Sequence, residues 1–386
     1  MTQIMTKSNI LIFIDWFLPA YKAGGQIPSV ANIVKTFEEH VNFYIVTSDR
    51  DSGDTVPFAN IELNKWLNFG KGKIIYLSPE KQNAVEFQKI FQSQTFHKIY
   101  FNSFFSYKFT LLPLKILKKQ NFSGEIVLAP RGMLAKKALQ IKGFKKKFFI
   151  ILSKITKFYS RITWHASSEN EKQEIEAVFG KNNIIKIACD ISNISSETKF
   201  QKKKKEKGSL NLFFISRITE KKNLLGALKI LQKVKNSSIN FTIWGPIENL
   251  KYWKQCEEII TKLPENITVT YSGILKNSEI GVELQSQHVF LFPTFNENFG
   301  HVIAEALTNG CPAIISNNTP WNDLEKNNSG FAFSLNEEQK FAEAIEYYAN
   351  MNEAELTEIS KKTYNYACEK LSSQKIIEDN RAVFLS

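Results

Sequence analysis

Two charged loops hold the residue types that could do chemistry. The first reads Ser216-Arg217-Ile218-Thr219-Glu220-Lys221-Lys222-Asn223, after the apolar run Leu210–Ile215 and before an apolar helical stretch that begins at Leu224. At the carboxyl end of a strand Arg217 points to where parallel sheets bind ligands, with Ser216 beside it and Lys222 near the helix start. Arginine grips anionic oxygens as a planar fork and lysine as a point charge, so two converging cations suit a diphosphate. A solvated charged loop is the plain alternative.

The second loop follows His288-Val289-Phe290-Leu291-Phe292-Pro293-Thr294 and reads Phe295-Asn296-Glu297-Asn298-Phe299-Gly300, before a helix carrying Glu305 that runs to Gly310. The amides of Phe299, Gly300, His301 and Val302 crown that helix, where a phosphate or sugar oxygen can bind. Bare carboxylates repel phosphate, so Glu297 and Glu305 are better suited to accepting hydrogen bonds from sugar and ribose hydroxyls. Glu305 lies among Val302, Ile303, Ala304, Ala306 and Leu307, a costly place for an unpaired carboxylate.

Other nucleotide signatures are missing. There is neither a Gly-x-Gly-x-x-Gly fingerprint nor a Gly-Lys-Ser/Thr phosphate loop. After the first apolar run stand Gly24 and Gly25, before a helix expected near Pro28. Paired glycines let amides approach an anion, although an ordinary tight turn fits equally well. Asp49-Arg50-Asp51 mimics a metal-binding Asp-x-Asp and is read as a loop. Cys189, Cys256, Cys311 and Cys368 are scattered without ligand spacing, so neither zinc nor a disulfide framework is expected, and a reducing cytosol is.

These loops need strands to hold them. Short Ile/Val/Phe-rich runs alternate with helical segments, the pattern of a parallel sheet covered on both faces. The runs are Asn9–Ile14, Asn42–Thr47, Lys73–Leu77, Lys98–Phe101, Glu125–Ala129 and Arg161–Ala166, then Leu210–Ile215, Asn240–Trp244, Ile267–Tyr271, Val289–Phe292 and Ala313–Ser316. Helices are expected over Glu337–Ala349 and Asn352–Tyr366. A chain of 386 residues should split in two at roughly 150 residues per domain. The expected division is residues 1–190, a solvated linker over 191–208, a second α/β domain over 209–370 and a helical tail over 371–386 packing back on the first domain. Tandem doubly wound domains imply a ligand in the crevice between them.

The formal charge of +12 is concentrated. Between Ile126 and Ser168 there is no Asp or Glu, yet Arg131, Lys136, Lys137, Lys142, Lys145, Lys146, Lys147, Lys154, Lys157 and Arg161 fall there, interleaved with Phe144, Phe148, Phe149, Ile150, Ile151, Leu152 and Ile155. That reads either as a basic amphipathic helix on an anionic membrane surface or as a helix with its Phe/Ile side in the core. Nucleic acid ranks lower, because no aromatic-basic motif accompanies the patch. No apolar run approaches the roughly 20 residues that span a bilayer.

The spacing Glu297, seven residues, Glu305 after a strand resembles the hallmark of glycosyltransferase family 4, retaining enzymes of the GT-B fold. Pro293-Thr294, Asn298-Phe299-Gly300, Gly310-Cys311-Pro312, Thr319-Pro320-Trp321, Ala129-Pro130-Arg131-Gly132-Met133, His165-Ala166-Ser167-Ser168-Glu169 and Gly245-Pro246 are similar to bacterial members that build surface polysaccharides. The resemblance implies two Rossmann-like domains facing across a deep cleft and transfer from a UDP- or GDP-sugar to a glycan or undecaprenyl-linked acceptor. No metal or further cofactor is implied. It casts Arg217 and Lys222 as holders of the diphosphate, Glu297 as the residue near the donor sugar, Glu305 on the ribose, and Gly24 and Gly25 beside the phosphates. Gly273-Ile274-Leu275 corresponds to a segment framing the base. The first-domain histidine of many members has no secure counterpart, since Asn102-Ser103-Phe104-Phe105 follows Lys98–Phe101. Asn102, Ser103, Arg131 and His165 remain as acceptor-side candidates. The implied location is the cytoplasm, at the inner face of the membrane. The rival readings are a GT-B epimerase, and a membrane- or polyanion-binding protein with a vestigial sugar site.

Overall fold

The computed structural model describes residues 7–140, 143–192 and 200–385, and the chain divides into two compact units. The first comprises Met1–Ile191 with Gln374–Ser386, the second Ser192–Ser373.

The first unit is built on β1 (Ser8–Phe13), β2 (Val41–Ser48), β3 (Trp66–Phe69), β4 (Gly72–Leu77), β5 (Lys98–Phe101), β6 (Glu125–Leu128), β7 (Thr163–Ala166) and β8 (Ile184–Ile187). Their order is β3-β4-β2-β1-β5-β6-β7-β8, parallel throughout except where β3 runs antiparallel to β4. Alternate residues of β1 serve opposite faces. Leu11 and Phe13 join one buried cluster, while Ile10 and Ile12 join another with Ile14, which follows the strand. A strand buried on both faces must be apolar at every position, which is why it reads as a continuous run. Helix Gln26–Phe37 lays Val30, Ile33, Val34 and Phe37 into the second cluster at helical spacing. Helix Gln374–Phe384 adds Val383 and Phe384 to it, the Phe384 ring centroid 5.0 Å from that of Tyr100.

The second unit carries β9 (Ser209–Ile215), β10 (Ser238–Trp244), β11 (Ile267–Tyr271), β12 (Val289–Phe292), β13 (Ala313–Ser316) and β14 (Gly330–Phe333). The order is β11-β10-β9-β12-β13-β14, all parallel. Because the chain leaves β9 first to one side and later to the other, the loops after β9 and β12 part at a topological switch point, where open α/β sheets bind ligands. Helices Glu338–Ala349 and Glu353–Leu371 close the unit, the latter capped by Asn352 with Glu355 reaching back.

The expected linker differs from a solvated segment. Residues 193–199 lie outside the described part, but Lys203 and Lys205 beyond them are buried. The Lys203 ammonium donates to the Leu284 carbonyl at 2.5 Å and lies 3.0 Å from Cys311 Sγ. Lys205 donates to the Ala349 and Met351 carbonyls at 2.8 and 3.1 Å, at the negative end of helix Glu338–Ala349, and burial pushes its pKa down to about 8. Long aliphatic stems permit this: the methylenes pack while carbonyls satisfy the charge.

Candidate active site

The loops after β9 and β12 are stitched together. Phe295 N donates to Lys221 O at 3.0 Å, Thr294 Oγ1 to the same carbonyl at 3.2 Å, and Asn223 Nδ2 to Pro293 O at 2.7 Å. Asn223 adopts a left-handed φ of 59°, a conformation asparagine tolerates, and its Oδ1 accepts from Gly226 N to start the next helix. The turn Glu220–Lys222 thereby presents Lys222, whose ammonium pairs with Glu297 Oε1 and lies 5.6 Å from the Phe292 ring centroid. Both side chains are mostly buried, at 13% and 12% exposure, so this pair is shielded from water on most sides.

Arg217 behaves differently. Its Nη1 is 3.0 Å from Glu248 Oε1, with both side chains 40% exposed. Arg217 and Lys222 thus each pair with a carboxylate of their own, Glu248 and Glu297. Ser216 is buried behind Arg217, and Gly245 crosses its carbonyl with φ 140°, where an added Cβ would lie 1.8 Å from Ser216 O. Only glycine allows that approach. Gly245 N donates to Gly273 O at 2.7 Å and Tyr271 OH to Gly245 O at 2.9 Å, which brings Gly273, Ile274 and Leu275 to the ends of β9 and β10. Tyr271, with Trp253 4.9 Å from its ring, and Ile274 leave an apolar ledge in solvent.

Beyond Glu297, half-buried Asn298 leads to Phe299 and to Gly300, the N-cap of helix His301–Thr308 with φ 81°. Phe299 O accepts from Trp321 Nε1 at 2.6 Å, and its ring centroid is 4.7 Å from that of His301. Trp321 is buried, and Lys370, held by Asp323 at 2.6 Å, lies 4.9 Å from its ring. The motif quoted around Trp321 was visible in sequence; its use as a peg for the 299–301 turn was not. Val302 and Glu305 are half-buried on the same helix. Burial pushes the Glu305 carboxyl up to about 7, with the His301 imidazole one turn away opposing the shift, so near neutrality Glu305 can donate to or accept from a hydroxyl.

In the first unit, Gly24 has φ 77° and Gly25 caps helix Gln26–Phe37, which begins before the expected Pro28. The Asp49-Arg50-Asp51 triplet is a loop. Asp49 pairs with Arg50 at 2.7 Å, and Asp51 Oδ2 accepts from Tyr21 N and Lys22 N at 2.8 and 3.1 Å, bracing the approach to the glycines. The acceptor-side candidates lie in a buried network. Arg131, with φ 54°, donates to Asn102 Oδ1 at 2.7 Å, Asp190 Oδ1 at 2.6 Å and Tyr100 OH at 2.9 Å, and Tyr100 OH meets His165 Nδ1 at 2.8 Å. His165 Nε2 meets Ala188 O at 2.9 Å, and burial pushes its pKa down to about 4. Ser103, also buried, accepts from Thr110 Oγ1 through its carbonyl at 2.8 Å. These side chains brace the carboxyl ends of β5, β6, β7 and β8. Sequence reading missed Tyr100 and Asp190, which complete the network, and Asp15 after β1, whose Oδ1 accepts from Ser106 Oγ at 2.5 Å and whose pKa burial raises.

The whole chain superimposes on known structures at low identity. Sucrose-phosphate synthase from Thermosynechococcus elongatus aligns with a TM-score of 0.72 at 13% identity, covering 98% of both chains. HepE of Anabaena, solved in complex with UDP and glucose, aligns with a TM-score of 0.70 at 14% identity, covering 97% of this chain and 98% of that one. The fold is GT-B. Within this GT-B chain, residues 195–367 match the family model described as glycosyl transferases group 1. They fall inside the second unit and include both loops of the candidate site. A curated relative, an uncharacterized 41.2 kDa protein in the cps region of Klebsiella pneumoniae, is 24% identical over 213 residues. That match takes in 54% of this chain and spans just over half, 56%, of the relative's length.

Proposed function

We propose that the protein is a retaining glycosyltransferase of family 4, moving a sugar from a UDP- or GDP-linked donor to a glycan or lipid-linked acceptor in bacterial surface-polysaccharide assembly. One observation carries this reading: the Lys222–Glu297 pair sits at the β9/β12 switch point, inside the segment that matches the glycosyl transferases group 1 model. HepE in complex with UDP and glucose supports the donor class, and the relative from a cps region supports the polysaccharide setting.

The site's pairing suggests how a donor would be received. A diphosphate takes Lys222 and Arg217 from Glu297 and Glu248, and the freed Glu297 accepts a hydrogen bond from a sugar hydroxyl. Glu305 takes the ribose, and Gly273, Ile274 and Leu275 frame the base. The bond from the anomeric carbon to the diphosphate oxygen breaks, with both cations and the amide end of helix His301–Thr308 stabilising the developing charge. The acceptor oxygen bonds to that carbon from the face the nucleotide leaves, its proton passing to the departing phosphate, and configuration is kept. Charge stabilisation by these groups requires no metal, and the nucleotide sugar is the sole co-substrate. A cytoplasmic location goes with this reading.

A thermal-shift screen across UDP- and GDP-sugars, with and without EDTA, followed by assay of nucleoside diphosphate release, tests it. A donor-specific shift that survives EDTA and release that depends on acceptor are expected. Sugar isomerisation without acceptor would mark an epimerase instead, and the lack of any shift a vestigial site.

A further inference from the structure

Helix Gly143–Ile155 keeps only one side against the first unit. Ile150 and Ser153 are buried, Phe149 packs 6.2 Å from Phe104 and 6.0 Å from Phe105, and Lys146 turns inward to donate to Ala138 O at 2.6 Å. The opposite side is apolar and exposed: Phe144 is 86% exposed, Phe148 63%, Ile151 57%, Leu152 48% and Ile155 74%. At about 100° per residue these five fall on one stripe. On the same projection Lys145 flanks it on one side and Lys147 and Lys154 on the other, all three exposed. Of the two readings of this segment, the one that puts the Phe/Ile side in the core does not hold for most of these residues. Lys142 and the side chain of Lys137 are outside the described residues.

We propose that this face docks on an anionic lipid bilayer, with Phe144, Phe148, Ile151, Leu152 and Ile155 in the headgroup–acyl boundary and the flanking lysines among the headgroups. An apolar stripe edged by cations matches the layering of such an interface, apolar below and anionic above. Charge decides between occupants. Residues 126–168 contain ten Lys and Arg and no Asp or Glu, so a second copy of the chain would bring like charges together, whereas an anionic bilayer neutralises them. Among the described residues no helix is long and apolar enough to cross a membrane, and the 13-residue helix accordingly lies in the interface plane. The proposal stands apart from sugar transfer, since it needs neither donor nor acceptor.

The test uses the full chain and vesicles of phosphatidylcholine alone or with about 30% phosphatidylglycerol, read by co-sedimentation at low and high salt. Native protein should pellet with the mixed vesicles, far less with neutral ones, and less at high salt. At about fivefold per lysine neutralised, K145Q/K147Q/K154Q should weaken binding by on the order of 100-fold. F144S/F148S/I155S should bind weakly at every salt concentration, and since these side chains are exposed, its circular dichroism and melting temperature should match native. Native protein that fails to bind the mixed vesicles, or a serine variant that binds as well as native, overturns the proposal. So does a native dimer that the serine variant converts to monomer, because the stripe would then be an interface between copies.

Discussion

Lys222 and Glu297 stand 75 positions apart in sequence, yet their side chains form an ion pair between two loops that are also tied through Asn223, Thr294 and Phe295. The pair holds a cation ready for an anion without leaving it bare, and partial burial makes it dependent on both members. K222M should lower turnover by about 100- to 1,000-fold, as loss of a group that stabilises leaving-group charge does. It should also destabilise the fold by about 1–3 kcal/mol, because Glu297 keeps a mostly buried charge without its partner. Steady-state kinetics and urea denaturation separate the two effects. Full turnover by K222M would remove Lys222 from the chemistry.

Arg217 and Glu248 make the opposite case. Their pair is 40% exposed on both sides, so breaking it should cost less than about 0.5 kcal/mol. R217A should nevertheless weaken nucleoside diphosphate binding about tenfold through loss of a forked contact, while E248A leaves it equal or tighter. Calorimetric titration with UDP and GDP reads both.

Glu305 titrates against the fold. Its folded pKa of about 7 lies above the unfolded value of 4.5, so the folded state binds the proton more tightly, and stability is lost as pH rises through 7. E305Q should therefore be more stable than native at pH 8 by about 1–3 kcal/mol, a gap that shrinks toward pH 5. Nucleotide affinity should fall in the same variant, which distinguishes a working carboxylate from a tolerated one.

Two histidines act in the other direction. His165 and His288 are buried with pKa values pushed down to about 4, mainly by desolvation. Folded values below the unfolded 6.5 mean that their stability contribution is present above pH 6.5 and lost as pH falls toward 4. Each should account for up to about 3 kcal/mol of acid destabilisation. Neither imidazole should show an NMR titration above pH 5, and H165Q or H288Q should flatten the stability profile between pH 6.5 and 4.

Much of the fold was legible because buried parallel strands must be apolar along their length: Lys98–Phe101, Ile267–Tyr271, Val289–Phe292 and Ala313–Ser316 have the expected ends. The strands not anticipated, β3, β8 and β14, lie at sheet edges and are mostly only partly buried, so burial on both faces does not mark them in the sequence. In the site, sequence placed Lys222 and Glu297 in loops after strands. It could not tell that they touch, because that depends on β12 lying beside β9. Nor could it tell that Arg217 turns to Glu248. Arg131 and His165 stood as acceptor-side candidates through the motifs that resemble the family. Their partners Tyr100 and Asp190 come from other strand ends, so only the assembled sheet shows them satisfied internally.

Helix Gln374–Phe384 belongs to the first unit although the second unit separates it in sequence from the rest. During synthesis the first unit emerges with the places of Val383 and Phe384 unfilled, and Lys98 lacking the Val383 carbonyl to which it donates. The second unit, Ser192–Ser373, is by contrast one continuous stretch of chain. The unit that starts the chain is thus the one that must wait, since its core closes only after the whole of the second unit has been translated.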